Sequence, residues 1–311
     1  MDFGYNYGLR MNKILFFLAS VLLSVAIGCL LIVSWQLALV FLFGSVCLYV
    51  IFNNYKFGLY LTILLLPIAR VYYVGGIKIF ISEVCVLFTI LAFLCDFLLK
   101  KKKIIVNSFY TPFIIAFLFL FVVNFSFVTV DTQKSFLYFL HFLESFLLFY
   151  ITLNLIKDQP QERLNLIRVI ILAAFIQSVI GILQHFTGKF GANFISDRGY
   201  LGILKLTSGR VWHAIGTMGT FNVLGSYLGV CLCIMLPLIF FPNRKKRTRW
   251  IFLAIFSAFI FTYSRGALLA LTAGSIPILF KKLPRKQFII ILATIIVMAS
   301  FMTAKAKTDR Y

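Results

Sequence analysis

The sequence predicts an all-α polytopic membrane protein with about eleven transmembrane helices. Three observations support this fold class. Hydrophobic residues make up 62% of the 311-residue chain, and the mean hydropathy is +1.00. Phenylalanine alone supplies 37 residues, and apolar runs long enough to cross a bilayer alternate with short basic clusters. We therefore expect residues 1–311 to form a single transmembrane domain.

Each apolar run predicts one span. The predicted spans are Ile14–Ser34, Leu37–Phe52, Phe57–Ala69, Ile79–Leu99, Phe109–Val128, Phe136–Ile156, Leu166–Phe186, Met218–Phe241, Ile251–Tyr263, Ala267–Phe280 and Phe288–Met302. The first follows Arg10 and Lys13, is long enough to span, and has no small-residue cleavage site after it. We expect it to be an uncleaved signal anchor.

The basic residues predict the orientation of the spans. The chain carries 30 Lys and Arg against 9 Asp and Glu. Such an excess in a soluble protein suggests nucleic acid, but clusters between spans are typical of cytoplasmic loops, so no nucleic-acid partner is expected. With a cytoplasmic N-terminus, the inner segments hold 19 of the 30 basic residues, including Lys100–Lys103 and Arg244–Arg249.

The main outer-face loop is then the hydrophilic segment 187–217. Its basic residues outnumber its single acid, Asp197; they are Lys189, Arg198, Lys205 and Arg210. Basic side chains kept on a translocated face suggest an anionic ligand such as a phosphate or pyrophosphate group. The alternative is an ordinary solvated loop.

Arg265 is the only charged residue between Trp250 and Phe280. A guanidinium at the centre of a bilayer is costly, and this run suits two short spans better than one. We expect a helical hairpin with Arg265 at its tip near the outer face and with Gly266 permitting the turn. The arginine either marks a helix end or binds an anion.

Several polar residues fall inside predicted spans. His141 and Glu144 share one face of the sixth span, which favours a functional pair, with a structural hydrogen bond as the alternative. Gln177 and Gln184 are expected to join helices. His185 ends the seventh span at the outer surface, where it could reach a substrate.

The sequence lacks the usual signatures of soluble enzymes. It has no phosphate-binding glycine loop, no His-Glu-x-x-His and no Gly-x-Ser-x-Gly. Its six cysteines all lie in apolar segments and are expected to be small buried residues. No cofactor and no metal are predicted, and the expected ligands are membrane lipids or molecules reached at the outer face.

Two stretches within residues 205–280 carry a family likeness. The first is Arg210-Val-Trp-His213-Ala-Ile-Gly216-Thr-Met-Gly219-Thr-Phe-Asn222-Val-Leu-Gly225, which runs into Ser226–Pro237 of the eighth span. The second is Thr262-Tyr-Ser264-Arg265-Gly266-Ala-Leu-Leu-Ala270. Asn222 and Arg265 are 43 residues apart. In this order and spacing they resemble the O-antigen ligase and O-antigen polymerase superfamily of bacterial envelope glycosyltransferases.

The resemblance implies a GT-C-like architecture in the bacterial plasma (inner) membrane. It implies transfer of a glycan from an undecaprenyl-pyrophosphate donor to a hydroxyl of a glycan or lipid-linked acceptor, as in lipopolysaccharide and other cell-envelope biogenesis. Arg265 and Arg210 would stabilise the leaving pyrophosphate, because guanidinium groups bind phosphate oxygens bidentately. Lys205, Arg198, Asn222, Ser264, Gly266 and His185 are the candidate substrate-binding residues. His213 is a candidate catalytic base, and His185 is another.

The chain departs from the family at its C-terminal end. Family members continue into a long outer-face loop that carries a histidine proposed as the base, and no histidine follows His213 here. We therefore expect a truncation before a larger outer-face loop after residue 303, either as a fragment or as a truncated gene product, in which case this chain lacks the catalytic histidine of the full-length enzyme. The alternative is a divergent member of the family. The alternative function is a transporter or flippase for lipid-linked oligosaccharide, for which His141 and Glu144 are the main support.

Overall fold

The computed structural model describes residues 35–68, 71–74, 77–100, 108–127, 132–187, 203–206, 209–240 and 246–282. The first and eleventh predicted spans lie outside these residues. The helices are α1 (Trp35–Asn53), α2 (Tyr55–Leu65), α3 (Ile81–Lys100), α4 (Thr111–Phe127), α5 (Thr132–Asp158), α6 (Glu162–Thr187), α7 (Phe221–Phe240), α8 (Lys246–Phe261) and α9 (Arg265–Lys282). The strands are β1 (Val71–Val74), β2 (Ile77–Phe80), β3 (Ile203–Leu206) and β4 (Gly209–Trp212).

The second to tenth predicted spans each correspond to one helix, α1 to α9, with ends that differ by a few residues. Four of these helices, α3, α5, α6 and α7, contain segments long and apolar enough to cross a membrane. The shorter α2, and segments of α1, α4 and α9, are also apolar. The chain is thus a membrane-embedded, predominantly helical protein.

Two short antiparallel hairpins depart from the predicted all-helical pattern. In the first, Val71 is opposite Phe80 and Val74 is opposite Ile77. In the second, β3 pairs with β4 in the same way. Each register leaves two residues between the strands, which is the shortest common hairpin connection. Valine, isoleucine and tyrosine favour strands in segments too short for a helix.

The helices alternate in direction, so the bundle has two ends. Towards one end, Glu83 near the start of α3 contacts His141 in the first half of α5, and the end of α8 contacts residues 213–214. We call this the site end. At the opposite end, Lys56 forms an ion pair with Glu162 over 3.4 Å, and Tyr60 donates a hydrogen bond to the same carboxylate. This network joins the start of α2 to the start of α6.

Helix α7 is the centre of the bundle that carries the candidate site. It packs against α6, α8 and α9, and its Leu224, Leu228 and Leu232 are completely buried. The helix approaches its neighbours closely at Gly225 and Gly229. An ideal Cβ on Gly225 would lie 2.8 Å from Cβ of Ser264, and one on Gly229 would lie 3.5 Å from the ring of Phe259. Small residues at this four-residue spacing allow helices to pack closely in membranes.

Candidate functional site

The turn between α8 and α9 comprises Thr262, Tyr263 and Ser264. Arg265 is the first residue of α9 and is exposed, so it lies at the tip of the connection as predicted. The two arms do not form a closely paired hairpin, because α9 packs mainly against α7 while α8 packs against α6 and α7. Helix α7 contributes the surface on which both arms rest.

Tyr263, and not Gly266, makes the turn. Tyr263 has φ +53°, a left-handed conformation that costs a bulky residue ~1–3 kcal/mol. Gly266 lies inside α9 without a positive φ, and an ideal Cβ on it would meet open space. The predicted role of Gly266 in the turn is therefore wrong. The glycine leaves room beside the helix N-terminus instead.

Ser264 joins the beginnings of two helices. Its Oγ donates a hydrogen bond to Oδ1 of Asn222 over 2.9 Å and accepts a long one, 3.4 Å, from the backbone N–H of Ala267. Ser264 is therefore the N-cap of α9. Thr220 caps α7 similarly, because its Oγ1 accepts a hydrogen bond from the N–H of Val223. The contact with Asn222 holds the first turns of α7 and α9 side by side.

The two joined helices run parallel. Gly225 of α7 faces Ser264, and further along Cys233 Sγ lies 3.0 Å from the Cβ position of Gly274. Each helix N-terminus carries a partial positive charge, and two adjacent N-termini add. The exposed guanidinium of Arg265 contributes a full charge at the same surface. This arrangement is suited to binding an anion.

Residues 213–217 form a buried, non-helical segment that leads into α7. Ala214 is 0% exposed and Ile215 is 1% exposed, so this part of the predicted outer-face loop lies inside the protein. Oε1 of the buried Gln184 accepts from the N–H groups of Ile215 and Gly216, and its Nε2 donates to the carbonyl of Gly216. Irregular backbone in a membrane protein needs such partners, because an unpaired buried polar group is costly.

A second glutamine, Gln177, holds the next residue of the same segment. Oε1 of Gln177, two turns before Gln184 on α6, accepts from the N–H of Thr217 over 2.9 Å. The hydroxyl of Thr217 in turn donates to the carbonyl of Pro67 at 2.7 Å. The two glutamines were expected to join helices, and they hold the segment between helices instead.

His213 is 7% exposed and its Nδ1 lies 3.0 Å from the carbonyl oxygen of Thr262. A carbonyl oxygen only accepts hydrogen bonds, so Nδ1 carries the proton and Nε2 of the neutral ring is the basic nitrogen. Burial lowers the pKa of His213 below its ordinary value of 6.5; the hydrogen bond to Thr262 opposes this effect and the charge of His185 adds to it. The site therefore favours a neutral imidazole.

Aromatic rings surround the turn. The ring of His185 stacks on Phe261 with centroids 4.0 Å apart and an interplanar angle of 6°. Tyr263 lies 6.3 Å from His185 and packs edge-on against His213 at 5.2 Å. Phe186 contacts Phe261 at 5.7 Å and is 72% exposed. Phe186 gives the cluster an exposed side, and Tyr263 precedes the exposed Arg265 by two residues.

The two basic residues of the second hairpin lie at partner positions. Lys205 on β3 and Arg210 on β4 are Cα partners in the antiparallel register. Arg210 precedes His213 by three residues, so the hairpin adjoins the buried segment. Arg198 lies outside the described residues.

A separate polar cluster joins α3 and α5. Nδ1 of His141 lies 3.2 Å from Oε1 of Glu83 and 3.9 Å from Oε2 of Glu144. The predicted pair of His141 and Glu144 is thus a group of three, because Glu83 reaches it from the neighbouring helix. Within the described part of the chain, no group of three or more His, Cys, Asp or Glu residues is arranged to hold a metal ion.

Of the predicted site residues, the structure brings together Asn222, Ser264, Arg265, Gly266 and His213, with His185 on the adjacent ring cluster. Tyr263 was not among the predicted site residues. The sequence carries no signal for a left-handed tyrosine, since Gly266 nearby is the residue type that usually adopts such a conformation. Gln177 and Gln184 were predicted to join helices, because their seven-residue spacing indicates only a common helix face.

These features define a helical membrane protein with a polar site at one end of its bundle. The chain matches no protein-family model, no curated protein and no solved structure.

Proposed function

We propose that the protein transfers a glycan from an undecaprenyl-pyrophosphate donor to an acceptor hydroxyl at the outer face of the bacterial plasma membrane, as an O-antigen ligase or polymerase does. The proposal includes about eleven spans, a cytoplasmic N-terminus and the site end at the outer face. The observation that carries it is the Asn222–Ser264 contact, which places two helix N-termini beside the exposed Arg265. The motif residues that suggested the family are the residues that form this surface.

In this reaction the acceptor oxygen attacks the anomeric carbon of the donor sugar while the bond to the pyrophosphate breaks. Negative charge grows on the leaving pyrophosphate. Arg265 and the first N–H groups of α9 would stabilise that charge without a metal. Arg210 and Lys205 on the neighbouring hairpin would contribute to the same field, with Arg198 as a further candidate.

The acceptor hydroxyl must lose a proton. We assign this proton to Nε2 of His213, because the hydrogen bond to Thr262 fixes the tautomer in which that nitrogen is basic. His185, on the adjacent ring cluster, is the alternative base. Asn222 would position donor oxygens through the part of its amide that Ser264 leaves available.

Replacement of Arg265 tests the proposal. Arg265→Ala and Arg265→Lys in the full-length protein should both abolish glycan transfer in membranes supplied with the donor lipid and acceptor, because an ammonium lacks the bidentate geometry of a guanidinium. Arg249→Ala is the matched control, since Arg249 is an exposed arginine at the opposite end. Normal transfer by the Arg265→Ala variant at normal protein levels would refute the assignment.

A transporter or flippase of lipid-linked oligosaccharide is the second candidate. The contact of His141 with both Glu83 and Glu144 favours it, because ionisable groups within membrane helices often form proton pathways. Proton-coupled uptake by reconstituted vesicles, lost in Glu144→Gln but retained in Arg265→Ala, would favour transport. Product formed from donor and acceptor without a proton gradient would favour transfer.

A further inference from the structure

We propose that Tyr263, with Phe186 and His185 beside it, forms a stacking site for a sugar ring of the glycan next to Arg265. This inference rests on the proposed function, because it assigns the part of the substrate that the site end recognises. The ring cluster is not needed for the anion-binding arrangement of Ser264, Asn222 and Arg265. It therefore requires an explanation of its own.

The backbone of Tyr263 is the first reason. The turn needs one residue with a positive φ, and glycine or asparagine would supply it at little cost. The chain instead places a large aromatic residue there with φ +53°. Contacts on both sides enforce this conformation: the N–H of Tyr263 donates to the carbonyl of Ile260 at 3.0 Å, and the N–H of Ser264 donates to Oγ1 of Thr262 at 3.3 Å. Backbone strain that the surroundings maintain is concentrated at ligand sites.

The position of the ring is the second reason. Tyr263 is only partly buried, so packing does not account for the strained tyrosine. Its ring borders His213 and His185, and Phe186 lies exposed at the end of the same cluster. Tyr263 precedes Arg265 by two residues. A ligand whose anionic group binds Arg265 would bring the adjacent part of the molecule over these rings.

The chemistry of the cluster favours a sugar over a lipid chain. A pyranose has an apolar face of C–H groups and a rim of hydroxyls. The exposed ring of Phe186 and the partly exposed ring of Tyr263 match the apolar face, while the phenol of Tyr263 and the imidazole of His185 offer hydrogen bonds to the hydroxyls. A binding site for an acyl chain needs no polar groups at the ring edges. In the proposed donor, a sugar is the group joined directly to the pyrophosphate.

Glycan binding by the full-length protein in nanodiscs tests the proposal. The probes are an array of bacterial surface oligosaccharides and, separately, undecaprenyl pyrophosphate without a sugar. The wild-type protein should bind at least one oligosaccharide. Tyr263→Asn, which keeps the left-handed backbone but removes the ring, should weaken that binding about tenfold. Tyr263→Phe should stay within about threefold, because the ring remains.

Two further variants separate recognition from folding. Phe186→Ala removes an exposed ring of the cluster and should weaken oligosaccharide binding without a change in thermal stability. Tyr110→Asn makes the same replacement as Tyr263→Asn at an exposed tyrosine of the opposite end, and should leave binding unchanged. No oligosaccharide binding by the wild type, or equal binding by the wild type and Tyr263→Asn, would overturn the proposal.

Binding of undecaprenyl pyrophosphate without a sugar distinguishes failure of the sugar site from failure of the proposed function. If Tyr263→Asn weakens undecaprenyl pyrophosphate binding as much as oligosaccharide binding, the ring contacts lipid and the sugar site is wrong. If the wild type transfers glycan and Tyr263→Asn does so with an unchanged KM, the sugar site fails while the proposed function stands. If ring-dependent oligosaccharide binding is found but no transfer occurs, the proposed function fails and the sugar site stands.

Discussion

Ser264 Oγ and Asn222 Oδ1 are joined by a 2.9 Å hydrogen bond, although the residues are 42 positions apart in sequence. The bond links the first turns of two parallel helices that enter the bundle from the same end. Consecutive helices alternate in direction, so α7 and α9, with α8 between them in sequence, pack in parallel. The pairing places two positive helix ends together.

Loss of this bond should weaken the fold at the site end. Ser264→Ala removes the link and the N-cap of α9, and should lower the free energy of unfolding by ~1–2 kcal/mol. Asn222→Ala removes the link alone and should cost about 1 kcal/mol. Thermal unfolding of the purified variants measures both, and the double variant should show less than the sum. Strict additivity would mean that the two side chains do not interact.

A methyl group at Gly225 should separate α7 from α9. Its Cβ would lie 2.8 Å from Cβ of Ser264 and 3.0 Å from Cβ of Ala267, so Gly225→Ala should destabilise the protein by ~1–3 kcal/mol. Gly266→Ala is the matched control, because the added methyl meets open space and alanine favours a helix. We expect its melting temperature to be unchanged or slightly higher. A similar loss of stability in both variants would contradict the close packing at Gly225.

Gln184 should be among the least replaceable polar residues of the bundle. Gln184→Leu leaves two backbone N–H groups and one carbonyl buried without partners, and each costs ~1–3 kcal/mol. We expect low yield of folded protein, measured by size-exclusion chromatography of detergent extracts. Gln161→Leu, at an exposed position of the opposite end, should give normal yield. Equal yields would show that the hydrogen bonds of Gln184 to residues 215–216 contribute little to folding.

His213 should make stability depend on pH. Burial lowers its folded-state pKa below 6.5, so at mildly acidic pH the unfolded chain binds a proton that the folded protein does not. The contribution of His213 to stability should therefore be complete above about pH 6.5. As the pH falls below 6.5 the melting temperature should decrease, and it should level off below the folded-state pKa. His213→Gln should flatten this part of the curve. A slope that is unchanged in His213→Gln would assign the titration to another group.

The helical segments follow from the sequence, because apolar length alone forces a helix when no water is available to the backbone. The nine runs between Leu37 and Phe280 each became one helix for that reason. Arg265 at the hairpin tip was predictable by the same argument, since burying its charge in the apolar run is costly. That Asn222, Ser264 and Arg265 form one functional site stays a prediction; the structure adds the contact between Asn222 and Ser264 beside Arg265.

Only the tertiary structure decided how these residues meet. Composition carries no information on which helices are neighbours, so the parallel packing of α7 and α9 could not be predicted. The segment 213–217 depends on contacts from α6 and α8, far away in sequence. This segment belongs to the stretch 187–217 that was predicted as an outer-face loop, but two glutamines supply the hydrogen bonds that water would have made there, and this allows the segment to pack inside the protein.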